Sequence, residues 1–355
     1  WIFPVQESAT MALHDKLAAC DEGRDTMRIF LTGGSGFVGS AVIKAWHGRH
    51  ELLAMARSAK SAEAVRALGA TPVLCSLDDV TAEQLSGCDA VVHAAAHVVQ
   101  WGQLADFEKA NVEGTQRMLS AARKAAVKRF VHVGTEAALF YGQHLRNVDE
   151  SYPLALSSPF YYSRTKAMAE QAVRSANDSA HGFETIVIRP RMIWGPEDQT
   201  ILPVIKEMVE KGMYTWIAQG QFQTSTTHVQ NLVHGLELAL TKGVPGSAYF
   251  VLDDAPLLLR DFISRYLATC NVQLPAKSIP SWLARGLALT LETAYRGLGI
   301  KSPPPLSRLA ACMMSVDCVL NDSRARRELG YCEQITVDQG MRELQQSGSG
   351  PAPKN

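Results

Sequence analysis

An α/β fold built on a doubly wound parallel sheet is predicted by three features of this 355-residue sequence. Short apolar runs of strand length recur along the first half of the chain. Between them lie stretches with helical spacing, and strands alternating with helices in this way mean a parallel sheet with crossover helices. The third feature is a glycine cluster, Gly33, Gly36 and Gly39, placed where the first strand passes into the first helix.

In chain order, Ile29, Phe30 and Leu31 read as a buried strand, and Phe37 to Ile43 resumes with helical spacing. G-x-x-G-x-x-G between them lets backbone N–H groups approach a pyrophosphate at the helix N-terminus. Gly33 serves the tight turn, Gly36 the close approach, and Gly39 the packing of helix on strand. The plainer alternative is an ordinary Gly-rich turn, and the strand-to-helix placement argues against it. Leu52 to Ala56 is the second strand, and its end, about 20 residues past the glycines, is where such a fold meets the adenosine ribose of a dinucleotide. An acid there would accept hydrogen bonds from the ribose hydroxyls. This chain has Ala56, then Arg57, with Lys60 nearby. A missing acid and an arriving cation favour NADP(H), with NAD(H) as the weaker option, unless Arg57 is merely solvated.

Pro72 to Leu74 and Ala90 to Ala94 continue the strands, with Ala62 to Leu68 helical between the second and third; Leu104 to Ala125 is a long helical pattern. Phe130 to Gly134 is the fifth strand, and Ser158-Pro159 reads as an N-cap with proline at the first helical position. The helix that follows runs through Ala172 or beyond and carries Tyr162 and Lys166, four residues apart on one face. An ammonium beside a phenol favours the phenolate, which would let Tyr162 exchange a proton near neutral pH. A lone Y-x-x-x-K is usually a surface pair. Downstream of a dinucleotide fingerprint it points to an acid/base.

The C-terminal third predicts a smaller, mostly helical substrate-binding lobe. Leu202 to Lys211 is an amphipathic helix and Ala248 to Leu252 a late strand. Pro280 to Gly299 is unusually apolar, with Arg285, Glu292 and Arg296 as its charges, and reads either as a buried packing helix or as a helix lying in a membrane surface. The domain reading is an N-terminal extension over 1–26, a dinucleotide-binding domain over 27–195, a substrate lobe interleaved with returning elements over 196–340, and a disordered tail over 341–355. Thirty-five basic and 35 acidic side chains balance to zero net charge, which gives no electrostatic case for nucleic acid. Seven cysteines without C-x-x-C spacing indicate neither a metal site nor a disulfide framework, and a reducing, cytoplasmic setting fits. No run reaches the ~18 apolar residues of a membrane span, and the first 26 residues lack the marks of a signal peptide.

Taken together, these residues resemble the extended short-chain dehydrogenases/reductases, nearest the hydroxysteroid dehydrogenase and dihydroflavonol reductase branch. The likeness spans Met27 to Tyr331. It rests on Thr32 through Gly39, His93-Ala94-Ala95-Ala96, Asn111 through Thr115, Tyr162 through Lys166, and Arg189-Pro190-Arg191-Met192-Ile193-Trp194-Gly195-Pro196. Asn321 to Tyr331 resembles that branch's closing segment. The resemblance implies a Rossmann fold. It also implies an oxidoreductase in which Tyr162 is the general acid/base, Lys166 lowers its pKa and touches the nicotinamide ribose, Thr135 orients the substrate oxygen, and Asn111 supports the lysine. Cofactor contacts are implied at Gly33, Ser35, Gly36, Phe37, Val38, Gly39, Arg57, Leu77, Ala94, Ala95, Ala96, Lys166 and Pro190. Val98, Val99, Trp101, Met192 and Trp194 are apolar candidates for the wall of a substrate pocket.

Two departures from the family pattern matter. Ser76 stands where an acid often meets the adenine, and Thr224 stands where nucleotide-sugar epimerases and dehydratases carry a diphosphate-binding arginine. The expected substrate is therefore a small, mostly apolar alcohol or ketone of steroid, flavonoid or lipid type. A nucleotide-sugar epimerase/dehydratase and a non-catalytic NADP-sensing protein are the rivals. A homodimer and a peripheral membrane contact are compatible with this reading.

Overall fold

The computed structural model describes residues 26–98 and 101–347. The extension read over 1–26 lies outside the described residues apart from Thr26, and so do Val99 and the chain after Ser347. The strands β1 (Arg28–Thr32), β2 (Glu51–Ala56), β3 (Thr71–Leu74), β4 (Ala90–His93) and β5 (Arg129–Val133) are joined by Glu184–Arg189 and Ser247–Phe250 in one seven-stranded sheet. Its order is Ser247–Phe250, Glu184–Arg189, β5, β4, β1, β2, β3, and every pairing is parallel. Strand order reverses between β1 and β4, which opens a crevice at their carboxyl ends. The expected doubly wound Rossmann sheet is what the chain forms.

Both sheet faces are apolar, as a parallel sheet covered by helices requires. One buries Ile29, Leu31, Val42, Ile43, Trp46 and Val131 beneath the helices Phe37–Trp46 and Val229–Thr241. The other buries Phe30, Val91, Met118 and Phe130 beneath Gly114–Lys124 and Tyr161–Ser175. Chain segments beyond 195 therefore return to the first core: Leu232 and Leu236 pack there with Leu329 and Tyr331, whose hydroxyl donates to the Leu252 carbonyl over 2.6 Å. A separate apolar cluster around Trp194, Trp216, Phe262 and Tyr266 forms the C-terminal lobe.

Four local expectations are corrected. The long pattern from Leu104 is not one α-helix: a turn at Leu104–Phe107 leads through a π-helical stretch, Glu108–Glu113, into Gly114–Lys124. Ser158 does not cap a helix. Its hydroxyl donates to the Phe140 carbonyl and accepts from the Phe160 amide, so the helix begins at Tyr161. The tail does not start at 341, because the helix Val337–Ser347 buries Met341 and Leu344 in the lobe cluster. Finally, Ser281–Gly297 is not a buried packing helix, since it buries only Ala284 and Ala288.

Candidate active site

The glycine turn lies at the mouth of the crevice. Gly33 has φ +75°, a left-handed conformation that disfavours a side chain, and its Cα faces the backbone of Ala94 and Ala95. A Cβ at Gly39 would overlap the Gly33 carbonyl, so only glycine lets this helix approach β1 so closely. The strand ends are tied together: Thr32 Oγ1 and His93 Nδ1 are 2.8 Å apart, the Ala95 amide donates to Thr32 Oγ1 over 3.0 Å, and His93 Nε2 meets Thr115 Oγ1 at 3.1 Å. Burial brings His93 down to about 3, so the ring is a neutral structural bridge.

The helix Phe37–Trp46 opens without a side-chain cap and without an acid in its first turn. Its first amides, at Phe37, Val38 and Gly39, are then left to an anion, and Ser35 and Gly36 stand exposed beside them. This donor set fits a dinucleotide pyrophosphate. Arg57 is exposed directly after β2, with no acid paired to it among the described residues. Ser76 binds Asp79 through its amide and hydroxyl, each at 2.6 Å, while Leu77 packs against Gly114.

Beyond β4 and β5 the predicted catalytic residues converge. Lys166 is buried and donates from Nζ to the Val133 carbonyl at 2.9 Å. Burial brings its ammonium down to about 8, with Glu170 pulling the other way. Tyr162, one turn earlier, is half-buried. Here the sequence expectation reverses. Burial pushes the phenol well above its usual range and the Glu136 carboxylate pushes further, while the Thr135 hydroxyl opposes them. Desolvation disfavours a phenolate, and the Lys166 ammonium, bonded to the Val133 carbonyl, does not offset it. Thr135 caps a short turn, accepting from the Ala137 amide and donating to Glu136 Oε2 over 2.8 Å. Asn111 stands in the π-helical stretch, a distortion frequent at functional sites. Its amide group donates to Thr165 Oγ1 at 3.2 Å and its carbonyl accepts from the His97 amide at 2.7 Å, so it braces the residue beside Lys166.

Sequence reasoning missed Glu136 as a site residue. Its carboxylate binds Thr135 on one side and Arg191 on the other, and all three side chains are buried. Arg191 also reaches Thr224 Oγ1 at 3.4 Å. Arg191 lies in the segment that carried the resemblance, but only the fold brings the Glu136 carboxylate against it. The pocket candidates separate. Trp194 is 0% exposed, donates from its indole to Asp253 Oδ2 at 2.7 Å, and packs on Phe262, Tyr266 and His228. It belongs to the lobe core and does not line a pocket. Met192 is partly buried with φ +44°, beside buried Pro190, whose carbonyl accepts from the Glu136 amide. Val98 is exposed, and Trp101 stands edge-on to Tyr295.

The chain matches the model of the 3-beta hydroxysteroid dehydrogenase/isomerase family over residues 30–281. It is similar to the 4-hydroxy-2-methyl-3-oxo-4-farnesyl-3,4-dihydroquinoline-1-oxide ketoreductase of Stigmatella aurantiaca, 41% identical over 325 residues that span 91% of this chain and 97% of that one. It is also similar to the 2-alkyl-3-oxoalkanoate reductase of Stenotrophomonas maltophilia, at 31% identity over 91% of this chain and 100% of the other. In fold it is similar to DesIV, the dTDP-glucose 4,6-dehydratase of Streptomyces venezuelae solved with NAD and TYD bound. The TM-score is 0.70 at 21% identity, covering 90% of this chain and 96% of that one.

Proposed function

The chain belongs to the 3-beta hydroxysteroid dehydrogenase/isomerase family, within the extended short-chain dehydrogenases/reductases, and we propose that it is an NADP(H)-preferring reductase of a mostly apolar ketone. What supports this most is the convergence of Tyr162, Lys166 and Thr135 at the carboxyl end of β5. When bound, the nicotinamide supplies hydride to the carbonyl carbon. Gly33 and the open amides of Phe37 to Gly39 would hold its pyrophosphate, and Ser35, Leu77, Ala94 to Ala96 and Pro190 would contribute to the rest of the cofactor site. The raised Tyr162 keeps its proton at neutral pH and delivers it to the oxygen as that oxygen becomes an alkoxide. Lys166 holds a positive charge beside it, Thr135 steadies the substrate oxygen, and Asn111 holds the Lys166 turn.

The apolar substrate is supported by how the arginines are spent. Arg191 is paired with Glu136, and Arg260 lies over the Trp216 ring and donates to the Gln219 carbonyl. With Thr224 buried as well, a nucleotide-sugar diphosphate would find none of these three ready to bind it. The two relatives above act on ketones with farnesyl or alkyl chains. Steroid ketones, 2-alkyl-3-oxoacids and long-chain ketones should therefore oxidise NADPH, followed by absorbance. Calorimetric binding of UDP-glucose or GDP-mannose with no response to any ketone would overturn the proposal.

Two further results are expected. NADPH should bind more tightly than NADH because Arg57 stands free at the β2 end. Arg57→Ala should narrow that gap by roughly 1–3 kcal/mol, and equal affinities in the unaltered protein would refute the preference. Turnover should fall as pH rises through about 8, where Lys166 loses its proton. Because its folded pKa lies below the ~10.4 of the unfolded chain, the buried charge weighs against folding below pH about 8 and that penalty fades on alkalinisation. A pH–rate profile flat to pH ~10 would contradict the assignment of Lys166.

A further inference from the structure

Behind Lys166 runs a row of buried charges that take no part in the reduction described above. Lys166, Glu170, Arg189 and Glu150 are all buried, Glu170 and Arg189 completely. Glu170 stands four residues after Lys166, one turn along the helix Tyr161–Ser175 and on the same face. Its carboxylate is held by Arg189, the last residue of the strand Glu184–Arg189, through Nε at 2.9 Å and through Nη2. Exposed Arg174 approaches the same carboxylate at 3.7 Å. The Arg189 charge acts in turn on Glu150, which accepts from the Phe250 amide at 2.9 Å. Sign alternates along the row: ammonium, carboxylate, guanidinium, carboxylate. Stability alone is a weak reason for it, because a buried ion pair often holds a fold no better than apolar side chains of equal volume. Arg189 even keeps Nη1 buried without a partner among the described residues.

We propose that Glu170 is a positioning residue of the reaction: anchored by Arg189, its carboxylate keeps the Lys166 ammonium charged and seated on the Val133 carbonyl. Among the described residues, the groups of other elements that feel the Lys166 charge are His93 on β4 and His132 on β5, both held neutral by burial. Tyr162, on the same helix, keeps its proton. Glu170 is thus the anion that answers the cost of burying the ammonium. Arg189 matters for geometry. A free carboxylate one turn away would draw Nζ to itself, whereas the planar fork of the guanidinium holds it back and leaves Nζ on the Val133 carbonyl at 2.9 Å. The catalytic consequence rests on the function reading above; the charge coupling does not.

The test is Glu170→Gln, read in two ways. In the pH–rate profile of ketone reduction, the alkaline limb should move down from about 8 by about one unit or more, with turnover recovering near pH ~6. The second reading is urea unfolding of the cofactor-free protein across the same pH range. Stability rises with pH once the folded lysine has lost its proton and the unfolded one still holds it, and the onset of that rise should fall by the same interval. The difference between the two proteins' curves isolates Lys166. Glu170→Asp, which keeps the charge, should leave limb and onset near their unaltered positions. Glu170→Gln strands Arg189 without its anion; if it does not fold, Glu170→Gln combined with Arg189→Met should show both shifts. Failure of both to fold would give the row a structural role only and overturn the proposal. A folded variant whose limb and onset stay in place would overturn it too, even with turnover lowered at every pH. An onset that moves in a protein that reduces no ketone would refute the function reading and uphold the coupling.

Discussion

Tyr162→Phe is expected to lower turnover by on the order of 10²–10⁴, the range for removing a positioned general acid, while NADPH binding is retained. The reason lies in what the phenol contributes. Burial and the Glu136 carboxylate hold it protonated, so its function is to give a proton to an oxygen that gains negative charge. Phenylalanine keeps the ring, its packing beside Phe140 and Phe160, and the helix around it. What it lacks is the one transferable hydrogen. Fluorescence titration with NADPH should therefore match that of the unaltered protein, with single-turnover reduction slowed. A variant that reduced ketone at full rate would show that the proton comes from elsewhere.

Arg191→Met should cost about 3–5 kcal/mol of stability, the range for stripping one partner from a buried ion pair. It leaves the Glu136 carboxylate buried beside Thr135 with its cation gone. The pair joins two segments 55 residues apart, and its Glu136 carboxylate acts on the Tyr162 phenol. Adding Glu136→Gln should restore most of the stability, because the uncompensated charge is then removed. It should not restore turnover, since Thr135 would no longer donate to a carboxylate. Chemical denaturation of the two single variants and the double would measure the coupling. A cost below about 1 kcal/mol for Arg191→Met would mean the pair is solvated and energetically idle.

Several elements of this protein were legible because their signals are local. Apolar runs of strand length, glycines between strand and helix, and a tyrosine and lysine one turn apart all lie within a few residues of each other. Arg57 is legible in the same way, as the residue that follows a strand end. Glu136 is different: nothing in Thr135-Glu136-Ala137 separates a buried carboxylate from a solvated one. Trp194 sits in a segment whose resemblance suggested a pocket wall, yet Asp253, Phe262 and Tyr266 arrive from later in the chain to enclose it.

The sequence by itself determined the parallel sheet, the glycine turn and the one-turn spacing of Tyr162 and Lys166, because hydrophobic period and backbone sterics act over one or two turns of chain. Tertiary structure alone decided three things. It set the sign of the Tyr162 shift, since desolvation depends on everything packed around a group. It paired Arg191 with Glu136 rather than leaving it for a ligand. And it turned the apolar face of Ser281–Gly297 outward, although the helical period fits either orientation, because Arg285, Glu292 and Arg296 found their partners on the protein's own surface.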